Sequence, residues 1–348
     1  MLNFDNTEEL QKIDPQNTIG SVDLLAEQCE TAWNESNKIT VPVIYREIKN
    51  IVFCGMGASI YGALVLKALA GREMPFPSEI ISDYFLPDYI DNNTLVVLTS
   101  YSGTTEEVLS CAKEAKARNA KMIVLTKGGE LAQFAKDNTL PAYIFDGKLN
   151  STGAPRFGCG YSILGLIGLL NKIGIFEIGE HKISDAISRL KEKMKDLKIQ
   201  AQQNSLLLFN KIPIILTAEH LSGNAQILRN QFNETGKTFS SFFLLPDLNH
   251  HLMEGLQFPK NTPLHFITLS SRNFSEKIEK RIELTIDVIK QNNHEVYEFK
   301  TGGQTLYDDF LEVLVYGSYL TVFLGLSYNQ NPATNPWVDY FKNKLAEN

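Results

Sequence analysis

The sequence predicts an α/β protein made of two doubly wound parallel-sheet domains, with helices on both faces of each sheet. Three observations carry this expectation. Short β-branched runs are each followed by a Gly- or Ser-rich turn and then an amphipathic stretch, which is the rhythm of parallel strands covered by helices. The rhythm stops near residue 150 and restarts near residue 212. The length, 348 residues, is more than one core needs and suits two.

The elements follow in order. Residues 1–18 are polar, contain Pro15, and read as an N-terminal arm. Over 22–33, Leu25, Cys29 and Trp33 recur every four residues, the spacing of one helix face. A strand at 51–54 leads into Gly55-Met56-Gly57-Ala58-Ser59 and a helix to about residue 70. A strand at 95–99 leads into Ser100-Tyr101-Ser102-Gly103-Thr104-Thr105 and a helix to about residue 118. Strands at 122–126 and 142–145 complete a first domain spanning 19–155. The Gly-, Ser- and Pro-rich stretch 147–160 marks its end. Connecting helices are expected over 156–205: an apolar one at 160–175 crossing between the domains, and a charged one at 183–203. A second domain, 206–348, repeats the layout with strands at 212–217, 264–269 and 296–299. Its helices follow His220-Leu221-Ser222-Gly223-Asn224, follow Ser270-Ser271-Arg272 with Ile278, Ile282, Ile286 and Ile289 on one face, and run from 307 to 326. A closing helical segment covers 332–348.

The formal charge is -7, from 33 Lys plus Arg against 40 Asp plus Glu. This balance points to no nucleic acid and no anionic membrane surface as a partner. Any phosphorylated ligand must be held by local dipoles and a few chosen cations against the global field. Cys29, Cys54, Cys111 and Cys159 lie far apart, which suggests neither a disulfide framework nor a zinc cluster. The N-terminus has no basic-then-apolar leader pattern. The longest apolar run, 163–170, falls short of the roughly 20 residues that span a bilayer. A cytoplasmic protein without metal or cofactor is expected.

Ligands of open parallel sheets bind beyond the carboxyl ends of the strands, where helix N-termini present free N–H groups. Two loops occupy that position. Gly55-Met56-Gly57-Ala58-Ser59 supplies a tight turn and one hydroxyl, without the spacing of a dinucleotide fingerprint. The Ser100–Thr105 loop places four hydroxyls within six residues at a helix start, around Gly103. That pattern suits a phosphate monoester. Thr104 with Glu107 also satisfies the capping-box pattern, which would explain one hydroxyl without a ligand.

Ser100-Tyr101-Ser102-Gly103-Thr104-Thr105-Glu106-Glu107, following a Gly-Met-Gly-x-Ser loop, resembles the phosphosugar-binding signature of sugar-isomerase (SIS) domains. Pro155-Arg156-Phe157 with Gly160-Tyr161-Ser162, Gln231-Phe232-Asn233-Glu234 and Pro246-Asp247-Leu248-Asn249-His250 are similar, in order and rough spacing, to one branch. That branch is the bifunctional phosphoglucose/phosphomannose isomerase family. The resemblance implies two SIS-type domains and a cofactor-free aldose–ketose isomerase interconverting glucose 6-phosphate and/or mannose 6-phosphate with fructose 6-phosphate through a cis-enediol.

It further implies Glu234 as the base that moves a proton between C2 and C1, and Arg156 as the cation on the enediolate. His250 would assist ring opening from the neighbouring subunit of a homodimer, with Lys342, or failing that Lys344, assisting near the C-terminus. The phosphate would sit on Ser59, Ser100, Ser102 and Thr105, with the backbone at Gly57 and Ala58 close to the substrate. Thr334 lies near a position that permits both C2 epimers in the family. His251 is expected to be a bystander, since neighbours in an extended segment point to opposite sides.

Two departures from the family pattern bear on substrate preference. Ala58 stands where a second glycine is usual, and would be strained if that position needs a positive φ. Gly158-Cys159 stands where an Ala-Leu-like pair is usual. The competing readings are a non-catalytic SIS-domain sugar-phosphate sensor and a glucosamine phosphate synthase half. The first is disfavoured by the absence of a basic DNA-binding module, the second by the absence of an ammonia-generating domain.

Overall fold

Strands of a parallel sheet are buried on both faces and need near-continuous apolar runs. In the computed structural model, which describes residues 4, 6–176 and 178–347, those runs form two all-parallel sheets. β1 (Asn50–Cys54), β2 (Ser78–Ile81), β3 (Thr94–Ser100), β4 (Lys121–Thr126) and β5 (Ala142–Ile144) lie in the order β2-β1-β3-β4-β5. β6 (Ile212–Thr217), β7 (Ser241–Leu244), β8 (Leu264–Ser270) and β9 (Glu295–Lys300) lie in the order β7-β6-β8-β9. Val52 aligns with Val96 and Val96 with Met122; Ile214 aligns with Phe266 and Phe266 with Val296. Strand order reverses between β1 and β3, and again between β6 and β8. These are the switch points where a cleft opens at the carboxyl edge. The two strands not anticipated, β2 and β7, are four-residue edge strands, β2 with mixed burial and β7 partly buried throughout, so neither shows a clear periodicity.

The expected N-terminal arm is folded where it is described. α1 (Thr7–Ile13) is capped by Asn6, whose side chain accepts the Glu9 N–H, and Leu10 and Ile13 pack against the core. Residues 1–3 and 5 of that arm, and Asn348 of the closing segment, lie outside the described residues. The helix expected over 22–33 is two helices, α2 (Thr18–Asp23) and α3 (Leu25–Ser36), broken at Leu24. α4 (Tyr61–Ala70), α5 (Glu106–Ala117) and α6 (Gly129–Asp137) follow β1, β3 and β4. α7 (Cys159–Ile173) packs on α3, α4 and β4 instead of crossing between domains. α8 (Glu180–Leu207) lies along α11 (Leu306–Ser327), and α9 (Ser222–Glu234) packs on both α4 and α11. α10 (Glu276–Gln291) buries Ile278, Ile282, Thr285 and Ile289, and α12 (Pro336–Ala346) ends the chain.

α11 corrects the expectation about apolar stretches. By length and composition this 22-residue helix is long and apolar enough to cross a membrane, yet 94% of its most apolar window is buried inside the fold. It is a core helix, and its hydrophobic surface is spent on α8 and α9. One large cluster of buried side chains runs from Val22 through Phe53 and Leu166 to Phe266 and Leu326, so both sheets share one core.

Candidate active site

Both hydroxyl-bearing loops leave the carboxyl ends of the central strands β1 and β3. Gly57 takes φ +54°, a conformation that favours glycine, and a Cβ there would meet nothing. Ala58 lies outside the positive-φ region, within the 3-10 turn Gly57–Ile60, so the strain expected at this departure does not arise. Ser59 Oγ accepts the Tyr101 N–H at 3.0 Å and ties the first loop to the second. Ser100 Oγ accepts the Gly103 N–H at 3.0 Å and lies 2.7 Å from Thr105 Oγ1. Gly103, at φ +75°, is required outright: a Cβ would sit 1.8 Å from the Gly128 carbonyl oxygen.

The capping box expected of Thr104 and Glu107 is absent. Thr105, not Thr104, is the N-cap of α5, and it makes no side-chain capping bond. Ser102 and Thr104, 3.0 Å apart through their hydroxyls, are exposed beside that helix start. Ser59 and Ser100 are buried with their hydroxyls engaged, so what this end of β3 exposes is the Ser102 and Thr104 hydroxyls beside a helix start with no side-chain cap.

The equivalent place in the second domain is closed. The same spacing separates Ser100 from Glu106, where α5 starts, and Ser270 from Glu276, where α10 starts. Glu219, at φ +46°, opens the 3-10 turn that matches the one opened by Gly57. Its carboxylate accepts the Ser275 N–H at 3.2 Å and the Ser275 hydroxyl at 2.6 Å. Buried Asp309 accepts Ser271 Oγ at 2.6 Å and Asn273 Nδ2 at 2.7 Å, and lies 3.0 Å from His220 Nε2. Burial works to raise the Asp309 carboxyl, but the bonds from His220, Asn273 and Ser271 outweigh it and hold it below its ordinary value. Two of the chain's own carboxylates thus fill the second cradle.

A cation sits between the open cradle and the second domain. The 3-10 turn Pro155–Phe157 packs on the Gly57–Ile60 turn and carries Arg156, only 4% exposed. Arg156 Nε donates to Thr235 Oγ1 at 3.0 Å and Nη2 to the Pro332 carbonyl at 2.5 Å, while Nη1 lies 3.6 Å from Glu234 Oε2. Burial pulls the guanidinium below its ordinary value, and Glu234 opposes that pull. Gly158 has a packing reason: a Cβ would lie 2.4 Å from the Tyr101 ring. Cys159, its neighbour, is a buried thiol raised to about 12, chiefly by burial.

Glu234 is the last residue of α9 and is half-buried. Asn335 Nδ2 lies 3.4 Å from its Oε2. Lys237, missed by sequence reasoning, donates to the Glu234 carbonyl at 2.6 Å and to the Thr334 carbonyl. Glu234, Lys237, Thr334, Asn335 and Trp337 line a cleft of about 690 Å³. A cleft of about 750 Å³ beside α6 and β5 shares no lining residue with it.

Two predicted residues stand apart. His250 ends a 3-10 turn, Asp247–His250, and is exposed. The segment is therefore not extended, and His251 Nε2 lies 3.3 Å from Asp247 Oδ2. Lys342 is exposed on α12. Asp339, one turn earlier, is close enough to Arg156 to favour its charged form, and residues three apart share a helix face. Lys344 is turned to Glu347 at 2.7 Å. Among the described residues, no bond joins His250 or Lys342 to Glu234.

Comparisons with known proteins agree with this layout. Residues 44–142 match the SIS domain, and residues 197–345 match the bacterial phospho-glucose isomerase C-terminal SIS domain. A hypothetical protein from Thermus thermophilus superposes with a TM-score of 0.73 at 19% identity, covering 98% of this chain and 92% of that one. Glucosamine-6-phosphate deaminase from Thermotoga maritima superposes with a TM-score of 0.70 at 18% identity, covering 92% and 97%. A bifunctional phosphoglucose/phosphomannose isomerase from Aquifex aeolicus is 28% identical, over 90% of this chain and 94% of its own. Another from Caldicellulosiruptor bescii is 31% identical over 340 residues, 94% of this chain and 98% of its own. With that identity along nearly the whole of both chains, this protein belongs to the bifunctional phosphoglucose/phosphomannose isomerase family.

Proposed function

We propose that the protein is a sugar-phosphate aldose–ketose isomerase, interconverting glucose 6-phosphate and/or mannose 6-phosphate with fructose 6-phosphate. The observation that carries this reading is the pairing of Glu234, in the wall of a cleft, with buried Arg156, whose turn packs on the Gly57–Ile60 turn beside the hydroxyl loops. The phosphate rests on Ser59, Ser100, Ser102 and Thr105, close to the Gly57–Ala58 backbone. Glu234 removes the proton from C2 of the open-chain aldose, the C1 carbonyl takes up the electron pair, and Arg156 balances the charge on the resulting enediolate. The enediolate oxygen at C1 takes up the proton of the C2 hydroxyl, and Glu234 delivers the proton it removed to C1 as the C2 oxygen becomes the ketone. No step in this scheme draws on a metal or cofactor. Thr334 lies in the wall of the cleft, which supports a bearing on epimer preference. The four cysteines are free and buried, which supports a reducing, cytoplasmic setting. Release of glucose 6-phosphate or mannose 6-phosphate from fructose 6-phosphate by the purified protein tests the reading. A protein that binds fructose 6-phosphate without turnover would be a sensor instead.

The cradle makes its own prediction. Ser102→Ala is expected to raise KM by removing a charge-assisted bond, about 1.5–3 kcal/mol of interaction, with kcat little changed. An unchanged KM would leave Ser102 as an ordinary exposed loop hydroxyl.

Ring opening is assigned to His250 of a second copy and to Lys342. The exposure of His250, which among the described residues has no bond to Glu234, supports a role across a dimer interface. Glu234→Gln and His250→Ala, each inactive alone, are then expected to regain activity when mixed and allowed to exchange subunits. One site of the mixed dimer holds both defects and the other holds neither. If activity stays absent after exchange has been demonstrated, each chain builds its own site.

A further inference from the structure

Lys237 is held in a costly arrangement. It lies beyond the end of α9 at φ +52°, a left-handed conformation that non-glycine side chains rarely adopt. The turn around it enforces this: Thr235 and Gly236 N–H both donate to the Gln231 carbonyl, and Thr238 N–H donates to the Phe232 carbonyl. The side chain then folds back so that its ammonium meets the Glu234 carbonyl at 2.6 Å and the Thr334 carbonyl, which is 97 residues away. An ammonium carries three donors. Two are taken by these carbonyls, and the residue lines the same cleft as Glu234. Arg156 grips the same C-terminal stretch through the Pro332 carbonyl at 2.5 Å. Two cations therefore fix where α12 begins, although α12 itself leaves Trp337 82% exposed.

We infer that Lys237 is a positioning residue of this site, clamping the Glu234 end of α9 to the segment entering α12 and leaving one ammonium N–H to the substrate cleft. This rests on the isomerase reading above. The charged groups facing Lys237 are Arg156 from the Pro155–Phe157 turn and Glu234 from α9. From α12, Asp339 reaches Arg156. Burial, then Arg156, lower the ammonium to about 8 against the pull of Glu234. Lys237 is thus charged below that pH and loses its proton as pH rises through it, converting two charge-assisted bonds into weaker neutral ones.

The test is the pH dependence of kcat for wild type, Lys237→Arg and Lys237→Met, with Glu234→Gln as a reference. Wild-type kcat is expected to decline above about pH 8. Arginine keeps its charge at all working pH values, so Lys237→Arg moves that decline to higher pH. Lys237→Met lowers kcat near neutrality by about tenfold or more, with KM changed far less. Lys237→Met retaining wild-type kcat and the wild-type alkaline decline, beside an inactive Glu234→Gln, overturns the role of Lys237 alone. An active Glu234→Gln overturns the site reading itself. The unmodified protein gives an independent reading through NMR of ¹³Cε-labelled lysines. One lysine titrating near pH 8 and shifting on addition of a hexitol 6-phosphate is expected. All lysines titrating near their ordinary value of about 10.4 overturns the inference.

Discussion

Glu234→Gln is expected to lower kcat by roughly 10²–10⁴-fold, the range for loss of a general base, while leaving substrate binding nearly intact. Glutamine keeps the length and planarity of the side chain, so the Asn335 contact at the end of α9 can survive. The phosphate contacts lie in the first domain, on loops after β1 and β3, and do not depend on residue 234. What disappears is basicity, and with it the acceptor for the C2 proton. Ring opening uses other groups, so anomer interconversion catalysed by the variant should continue while isomerisation stops. A variant isomerising at near wild-type rates would reduce Glu234 to a half-buried helix-end carboxylate paired with an arginine.

The second large effect is expected at Arg156. Removing a fixed donor aimed at developing negative charge commonly costs about 10²–10³-fold in kcat, and Arg156→Met should fall in that range. Methionine also strips Thr235 Oγ1 and the Pro332 carbonyl of their buried donor, so a lower Tm is expected as well. Arg156→Lys separates the two contributions. It restores a positive charge but not the planar fork that reaches Thr235, Pro332 and Glu234 together. Its kcat should lie between those of wild type and Arg156→Met. Equal activity of the lysine and methionine variants would mean that fork geometry matters and charge does not. Wild-type kcat in both would remove Arg156 from the chemistry.

Features whose cause is local were legible in the sequence. Gly103, at φ +75°, announces a loop through its own backbone conformation, and the clustered hydroxyls around it are written consecutively. The long buried strands β3 and β8 were found because burial on both faces leaves continuous apolar runs. Features whose cause is distant were not. β2 and β7 are short edge strands that owe their pairing to β1 and β6. Lys237 follows Asn233-Glu234 closely, which is a faint signal, but its importance comes from the Thr334 carbonyl and the buried Arg156. The folding of the N-terminal stretch around Asp14 was missed although its cause is local, a carboxylate capping the turn four residues on. The Asp14 carboxylate accepts the Thr18 N–H at 2.7 Å and the Thr18 hydroxyl at 2.8 Å. The closure of the second cradle by Glu219 and Asp309 likewise needed coordinates, because neither carboxylate lies within the Ser270–Ser275 loop that it fills.

The central claim is that Glu234 carries one proton between C2 and C1 of a hexose 6-phosphate held by the first-domain cradle. Its most direct test is to supply fructose 6-phosphate in D₂O and follow the aldose 6-phosphates by NMR. Wild type is predicted to release glucose 6-phosphate, mannose 6-phosphate or both, with deuterium entering at C2, and Glu234→Gln to yield neither aldose nor label. Deuterium entering at C2 at wild-type rates in the Glu234→Gln protein would contradict the account.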